Sequence, residues 1–136
     1  MCVGGGSIPT DAVKWFLNKA NKGDVVMLIP DPLHYKERKY YFNYAKEWCN
    51  FNDVKINSVK AIVVNSPEFG FLPEVLELVA KAEAVYFTGG DQKNFWLFIK
   101  NSPLQNLLDN LIKTKGIVIG KISGDLKLKL LYISNF

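Results

Sequence analysis

The sequence is poor in the residues that mark several functional classes. It has two cysteines, Cys2 and Cys49, too few for a disulfide scaffold and without metal-ligand spacing. A reducing cytoplasm is therefore the expected compartment, with no metal. It has one histidine, His34, and one arginine, Arg38, against sixteen lysines. The formal charge of +4 raises the question of nucleic acid. The lysines, however, are scattered and interleaved with thirteen acids, and bidentate base reading favours arginine, so no nucleic-acid partner is expected. No apolar run approaches the roughly 18 to 20 residues of a membrane span, and no charged-then-apolar leader opens the chain. Neither an internal repeat nor a low-complexity segment is present.

What is there suits one domain over residues 1–136, with 49% apolar and 22% charged residues. Cys2 and Val3 read as the end of a strand, turned by "GGGS" into a helix with Thr10 as N-cap and Val13, Phe16, Leu17 and Ala20 on one face; Gly23 ends it. Val25 to Ile29 is a short apolar run of strand length, followed by "PDP". A helix from about Glu37 to Phe51 carries Tyr41, Tyr44, Ala45 and Trp48 inward, and Val54 to Val64 reads as extended. Pro73 opens a helix with Val75, Leu76, Leu78, Val79 and Ala82 on its buried face. Ala84 to Phe87 is the next strand. Ser102 and Pro103 start a helix that stops at Gly116, and Ile117 to Ile119 is a further strand. Strands apolar throughout, alternating with amphipathic helices, predict a mostly parallel sheet covered on both faces, a three-layer α/β sandwich.

Ligands of such sheets collect beyond the carboxyl ends of the strands. Four turns fall there: "GGGS" (Gly4 to Ser7), "PDPLHY" (Pro30 to Tyr35), "TGGDQ" (Thr88 to Gln92) and "GKISGD" (Gly120 to Asp125). "GGGS" lacks the spacing of a dinucleotide fingerprint, so no cofactor is expected, although the exposed N–H groups of Gly5 and Gly6 suit an anionic oxygen. In "TGGDQ", Asp91 reads as the cap of the following helix and, with Gln92, as a candidate substrate-binding residue. Gly90 allows substrate to approach the backbone, and Gln92 can hydrogen-bond a carboxylate or amide. Ser123, after a buried strand, stands where a nucleophile elbow would lift it; the same position also suits an ordinary N-cap.

The order "GGGS", an apolar strand with a proline loop, "AVYFTGGDQ", a helix and "KGIVIGKISG" resembles the cyanophycinase and aspartyl dipeptidase group of serine peptidases, over nearly the whole chain to about Gly124. The resemblance implies a class I glutamine-amidotransferase-like fold, flavodoxin-like in its layering. It implies Ser123 as nucleophile, Gly90 and Gly124 as oxyanion donors, and Gln92 as a substrate-holding residue. The chain departs from the family pattern at Lys121 and Ile122, which replace a glycine and a threonine, and at Asp125, which replaces a glycine. The family's acid and histidine follow the serine, whereas "LKLKLLYISNF" contains neither, and His34 is the one candidate base.

Two readings follow. In one, the chain is a shortened, weakly active or silent relative whose sheet edge holds a peptide or small molecule, or whose open side, where the family's later strands would pack, forms an oligomer interface. In the other, it is an active hydrolase of acidic peptide or amino-acid-polymer amides, with a base from His34 or a partner chain. The alternation of Lys127, Leu128, Lys129 and Leu130 predicts an extended tail that forms an edge strand or pairs with a second copy, making a homo-oligomer.

Overall fold

The structure is a computed structural model, and it describes residues 2–3, 9–30, 35–88, 92–114 and 118–121. Five strands form one sheet: β1 (Cys2–Val3), β2 (Asp24–Pro30), β3 (Ser58–Val64), β4 (Ala84–Phe87) and β5 (Val118–Lys121). Their order is β1-β5-β4-β2-β3, and every pairing is parallel. The helices between them are α1 (Thr10–Lys19), α2 (Tyr35–Cys49), α3 (Pro73–Lys81), α4 (Gln92–Ile99) and α5 (Pro103–Thr114), with a 3-10 turn at Phe69–Phe71. No helix among the described residues is long and apolar enough to cross a membrane.

The alternation of side chains along the central strands divides the core in two. Val25, Met27 and Ile29 of β2, with Ala84 and Tyr86 of β4, pack under α1 and α2 against Phe16, Leu17, Ala45 and Trp48. Val26, Leu28, Val85 and Phe87 face the other way, onto α3, α4 and α5 through Val75, Val79, Phe95, Leu104 and Leu108. Helices thus cover both faces, giving the three-layer sandwich that the apolar strands predict. Because β2 and β4 are covered on both sides, every residue from Val25 to Ile29 and from Ala84 to Phe87 is buried.

Several local expectations shift. Thr10 is the first residue of α1 and not its cap: extended Pro9 (φ −57°, ψ 140°) holds the N-cap position without a side-chain cap. Its carbonyl accepts the N–H groups of Ala12 (3.0 Å) and Val13 (3.2 Å). The stop of α1 comes from Asn21 and Lys22, both left-handed (φ 47° and 64°), which follow the C-cap Ala20 and precede Gly23. Gly23 instead lets Glu83 lie against the backbone, since a Cβ there would stand 2.8 Å from Glu83 Cβ. Of the extended reading for Val54 to Val64, only Ser58–Val64 is strand. Helix α2 begins and ends two residues earlier than its apolar spacing suggests. The α5 start follows expectation: Ser102 Oγ accepts the Gln105 N–H (3.3 Å) and donates to the Ile99 carbonyl, capping one helix while closing the previous one.

Candidate functional site at the carboxyl edge of the sheet

All five strands run the same way, so the segments that follow β1, β2, β4 and β5 leave from one edge. From β2 the chain moves outward to β3, and from β4 it moves the other way to β5, so the direction of winding reverses between β2 and β4. Crevices at such reversals are where open α/β sheets hold ligands. Here the edge is built by Pro30, the last residue of β2, and by Phe87 and Thr88 at the end of β4.

Thr88 is fully buried, and its N–H donates to the Leu28 carbonyl at 3.0 Å, carrying the β2–β4 ladder one residue past the strand. Phe87 meets Phe95 of α4 edge-on, with ring centroids 5.4 Å apart and planes at 77°. That contact fixes the start of α4 relative to the strand end. Below it, Tyr86 is buried among Phe16 and Trp48, and burial pushes its phenol well above the ordinary tyrosine range. Tyr86 is therefore a neutral packing group.

The register shows how the glycine-bearing segments relate. Phe87 pairs with Gly120, and Val3 pairs with Lys121. Strand β5 lies between β1 and β4, so the segment that contains Ser123 leaves from the middle of three adjacent strands. Lys121, which departs from the family pattern, is the last residue of that strand. The segment that contains His34 leaves β2, which is two strands away from β5, about 10 Å at ordinary strand spacing.

Of the expected site residues, Gln92 is the first residue of α4. Gly5, Gly6, His34, Gly90, Asp91, Ser123 and Gly124 lie outside the described residues. Sequence reasoning passed over Thr88 as a buried anchor, although the unbroken apolar run leading into it was the available signal. It also had no means of seeing that β1 pairs with β5. Two grooves lie at the opposite, amino edge: one lined by Asn18, Asn21, Lys22, Asn52, Asp53 and Lys55, the other by Asp24, Val26, Ser58, Lys60, Leu78 and Lys81 among others. Among the described residues no cluster of three or more His, Cys, Asp or Glu could hold a metal ion.

No protein-family model matches the sequence, and no curated protein matches it. Among solved structures the chain is similar to the crystal structure of a peptidase from an acI-B1 Actinobacterium, with a TM-score of 0.70 and 19% sequence identity. The match covers 88% of this chain and 52% of that one, so the chain spans about half the length of the peptidase it resembles. At this identity the likeness establishes the fold: a parallel-sheet α/β sandwich shared with a peptidase.

Proposed function

We propose that the chain is a relative of the serine peptidases of the cyanophycinase and aspartyl dipeptidase group. Its own residues build the nucleophile side of a peptide-binding edge, and these residues by themselves hydrolyse amides weakly or not at all. The observation that carries this reading is the strand order β1-β5-β4 with its register. Ser123 stands three residues beyond Gly120 and Gly90 three beyond Phe87, its register partner. Gly5 and Ser123 each stand two residues beyond the Val3–Lys121 pair. Equal steps from paired residues on adjacent parallel strands favour a serine flanked by glycine-bearing backbone on either side. The fold shared with a solved peptidase supports the same ancestry.

In this reading the Ser123 hydroxyl faces the scissile carbonyl, and the N–H groups of Gly90 and Gly124 receive the developing oxyanion. Asp91 caps α4, Gln92 binds a substrate carboxylate or amide, and the N–H groups of Gly5 and Gly6 take an anionic oxygen of the ligand. The weak step is proton removal. Base assistance is worth about 10²- to 10⁴-fold, and the single histidine of the chain follows a strand that is not adjacent to β5. What remains is binding and oxyanion stabilisation.

The test is titration of the chain with an aspartyl dipeptide, followed by amide NMR and product analysis. The expected result is shifts at Thr88 and Gln92, their loss in Gln92→Ala, and no free aspartate. A spectrum without response sinks the binding edge. Hydrolysis or fluorophosphonate labelling that Ser123→Ala abolishes sinks the silent state, and His34→Ala then shows whether the base is His34 or belongs to a partner chain.

A further inference from the structure

Strand β3 is the outermost strand of the sheet on its side, and among the described residues nothing pairs with its outer edge. It is seven residues long and runs in unbroken register with β2. Natural edge strands are usually blunted by brevity, proline, bulges or several charges. Here "SVKAIVV" has no proline and one charge, Lys60. Both core clusters also run out to this edge unfinished: Ile62 on one face and Val59, Ala61 and Val63 on the other are only half buried. On the opposite side of the sheet, β1 offers two residues of ladder.

The charges around the strand differ between its two ends. At the amino end stands exposed Lys60, beside a groove of about 300 Å³ lined by Val26 and Leu78, while Lys81 at the end of α3 is paired with Glu77 (2.6 Å) and the Asp24 carboxylate accepts from Ser58 and Asn57. At the carboxyl end stand exposed Glu68 and, in the first turn of α3, exposed Glu74. Lys60, Glu68 and Glu74 belong to the layer on the α3 face or to the strand edge beneath it.

We infer that the β3 edge is a dimer interface, in which a second copy of this chain adds its own β3 antiparallel across a two-fold axis normal to the sheet, making one continuous ten-stranded sheet. A two-fold contact must be self-complementary, and an antiparallel pairing lays the amino end of one β3 beside the carboxyl end of the other. Lys60 of each copy then lies towards Glu68 and Glu74 of its mate. An axis through Ile62 sets Ile62 against its equivalent, Ala61 against Val63, and Lys60 against Val64 of the second copy. The lysines are kept from facing each other, a pairing that like charges disfavour. Because the axis is normal to the sheet, each face continues into the same face of the second copy, so both half-finished cores are extended.

The experiment is sedimentation velocity on the intact chain over a dilution series. The expected result is a concentration-dependent dimer, weakened on the order of tenfold by Lys60→Glu, because two symmetric attractive contacts become repulsive. Combining Lys60→Glu with Glu68→Lys and Glu74→Lys should restore the dimer. These positions are exposed, and each variant is compared by circular dichroism; should the combined variant fold poorly, mixing Lys60→Glu with a Glu68→Lys, Glu74→Lys partner reads the same complementarity. β3 amides should also exchange faster on dilution. A monomer at every concentration overturns the inference. So does a dimer indifferent to the charge reversals. Loss of the dimer on deleting residues 126–136, with Lys60→Glu silent, overturns it in favour of pairing through the tail.

Discussion

Gly70 lies in the 3-10 turn after β3, where the chain passes against the junction of α4 and α5. It is buried, and a Cβ built on it would stand 2.6 Å from Ser102 Cβ and 3.2 Å from the Phe98 carbonyl oxygen, with Ser102 Oγ nearer still. Ser102 cannot easily move aside. It is 2% exposed, its hydroxyl donates to the Ile99 carbonyl, and it accepts the Gln105 N–H. Gly70→Ala therefore forces an overpacked joint, about 1–3 kcal/mol, together with loss of the α5 cap, about 1 kcal/mol. The combined expectation is about 2–4 kcal/mol. At about 4 °C per kcal/mol for a chain of this size, Tm should fall by about 8–16 °C. Urea denaturation of four proteins measures the coupling: wild type, Gly70→Ala, Ser102→Gly and the double variant. Ser102→Gly removes both atoms that the new methyl would strike, so Gly70→Ala should cost less than about 1 kcal/mol in that background, the remaining contact being the Phe98 carbonyl. A Gly70→Ala protein within about 0.5 kcal/mol of wild type, or a cost unchanged in the Ser102→Gly background, refutes this account of the joint.

Asp24 predicts an acid limb. Hydrogen bonds from Ser58 Oγ and Asn57 Nδ2, both 2.6 Å, hold its carboxylate below the usual aspartate range, with smaller help from Lys60 and Lys81. A depressed folded pKa contributes stability above the unfolded value and loses it as pH falls through the folded one. The urea midpoint of wild type should thus exceed that of Asp24→Asn at pH 7, and the gap should close below about pH 4; a gap independent of pH contradicts the assignment. Trp48, 1% exposed and in edge contact with Phe16 (6.1 Å, 64°) and Tyr86 (5.0 Å, 70°), ties α2 to the sheet. Trp48→Ala should cost about 3–5 kcal/mol by chemical denaturation, and a loss under about 1 kcal/mol would show that α2 is not held there.

The layers were readable because burial on two faces leaves a strand no polar position, and β2 and β4 show this directly in "VVMLI" and "AVYF". Amphipathic spacing located α3 and α5 closely, with Pro73 and the Ser102–Pro103 pair marking their starts. The misplacements share a cause. Thr10 and Gly23 carry strong local signals, yet the cap of α1 is a proline carbonyl and its stop is two left-handed non-glycine residues, arrangements settled by how the chain must enter and leave the sheet. Likewise Val54 is buried without being strand, because apolar content reports burial and not pairing. At the edge, the order of the strands was not legible from the sequence. That β5 sits between β1 and β4 follows from pairings between residues far apart in the chain, which no local periodicity encodes.

Those long pairings bear on how the domain comes together in time. Strands β2 and β3 meet across 34 residues, and β4 and β5 across 33, each with an intervening helical segment that can dock as soon as it forms. Cys2 and Gly120 are 118 residues apart, and closing that loop costs about 1 kcal/mol more than closing the β4–β5 loop, for a ladder only two residues long. During synthesis β1 must wait for β5, which is made after β2, β3 and β4. Once folded, it should be among the first pairings to open. One wall of the proposed serine-bearing turn is thus the last strand to arrive, and slow amide exchange across the β2–β3–β4 core beside fast exchange at β1 would be the signature of that order.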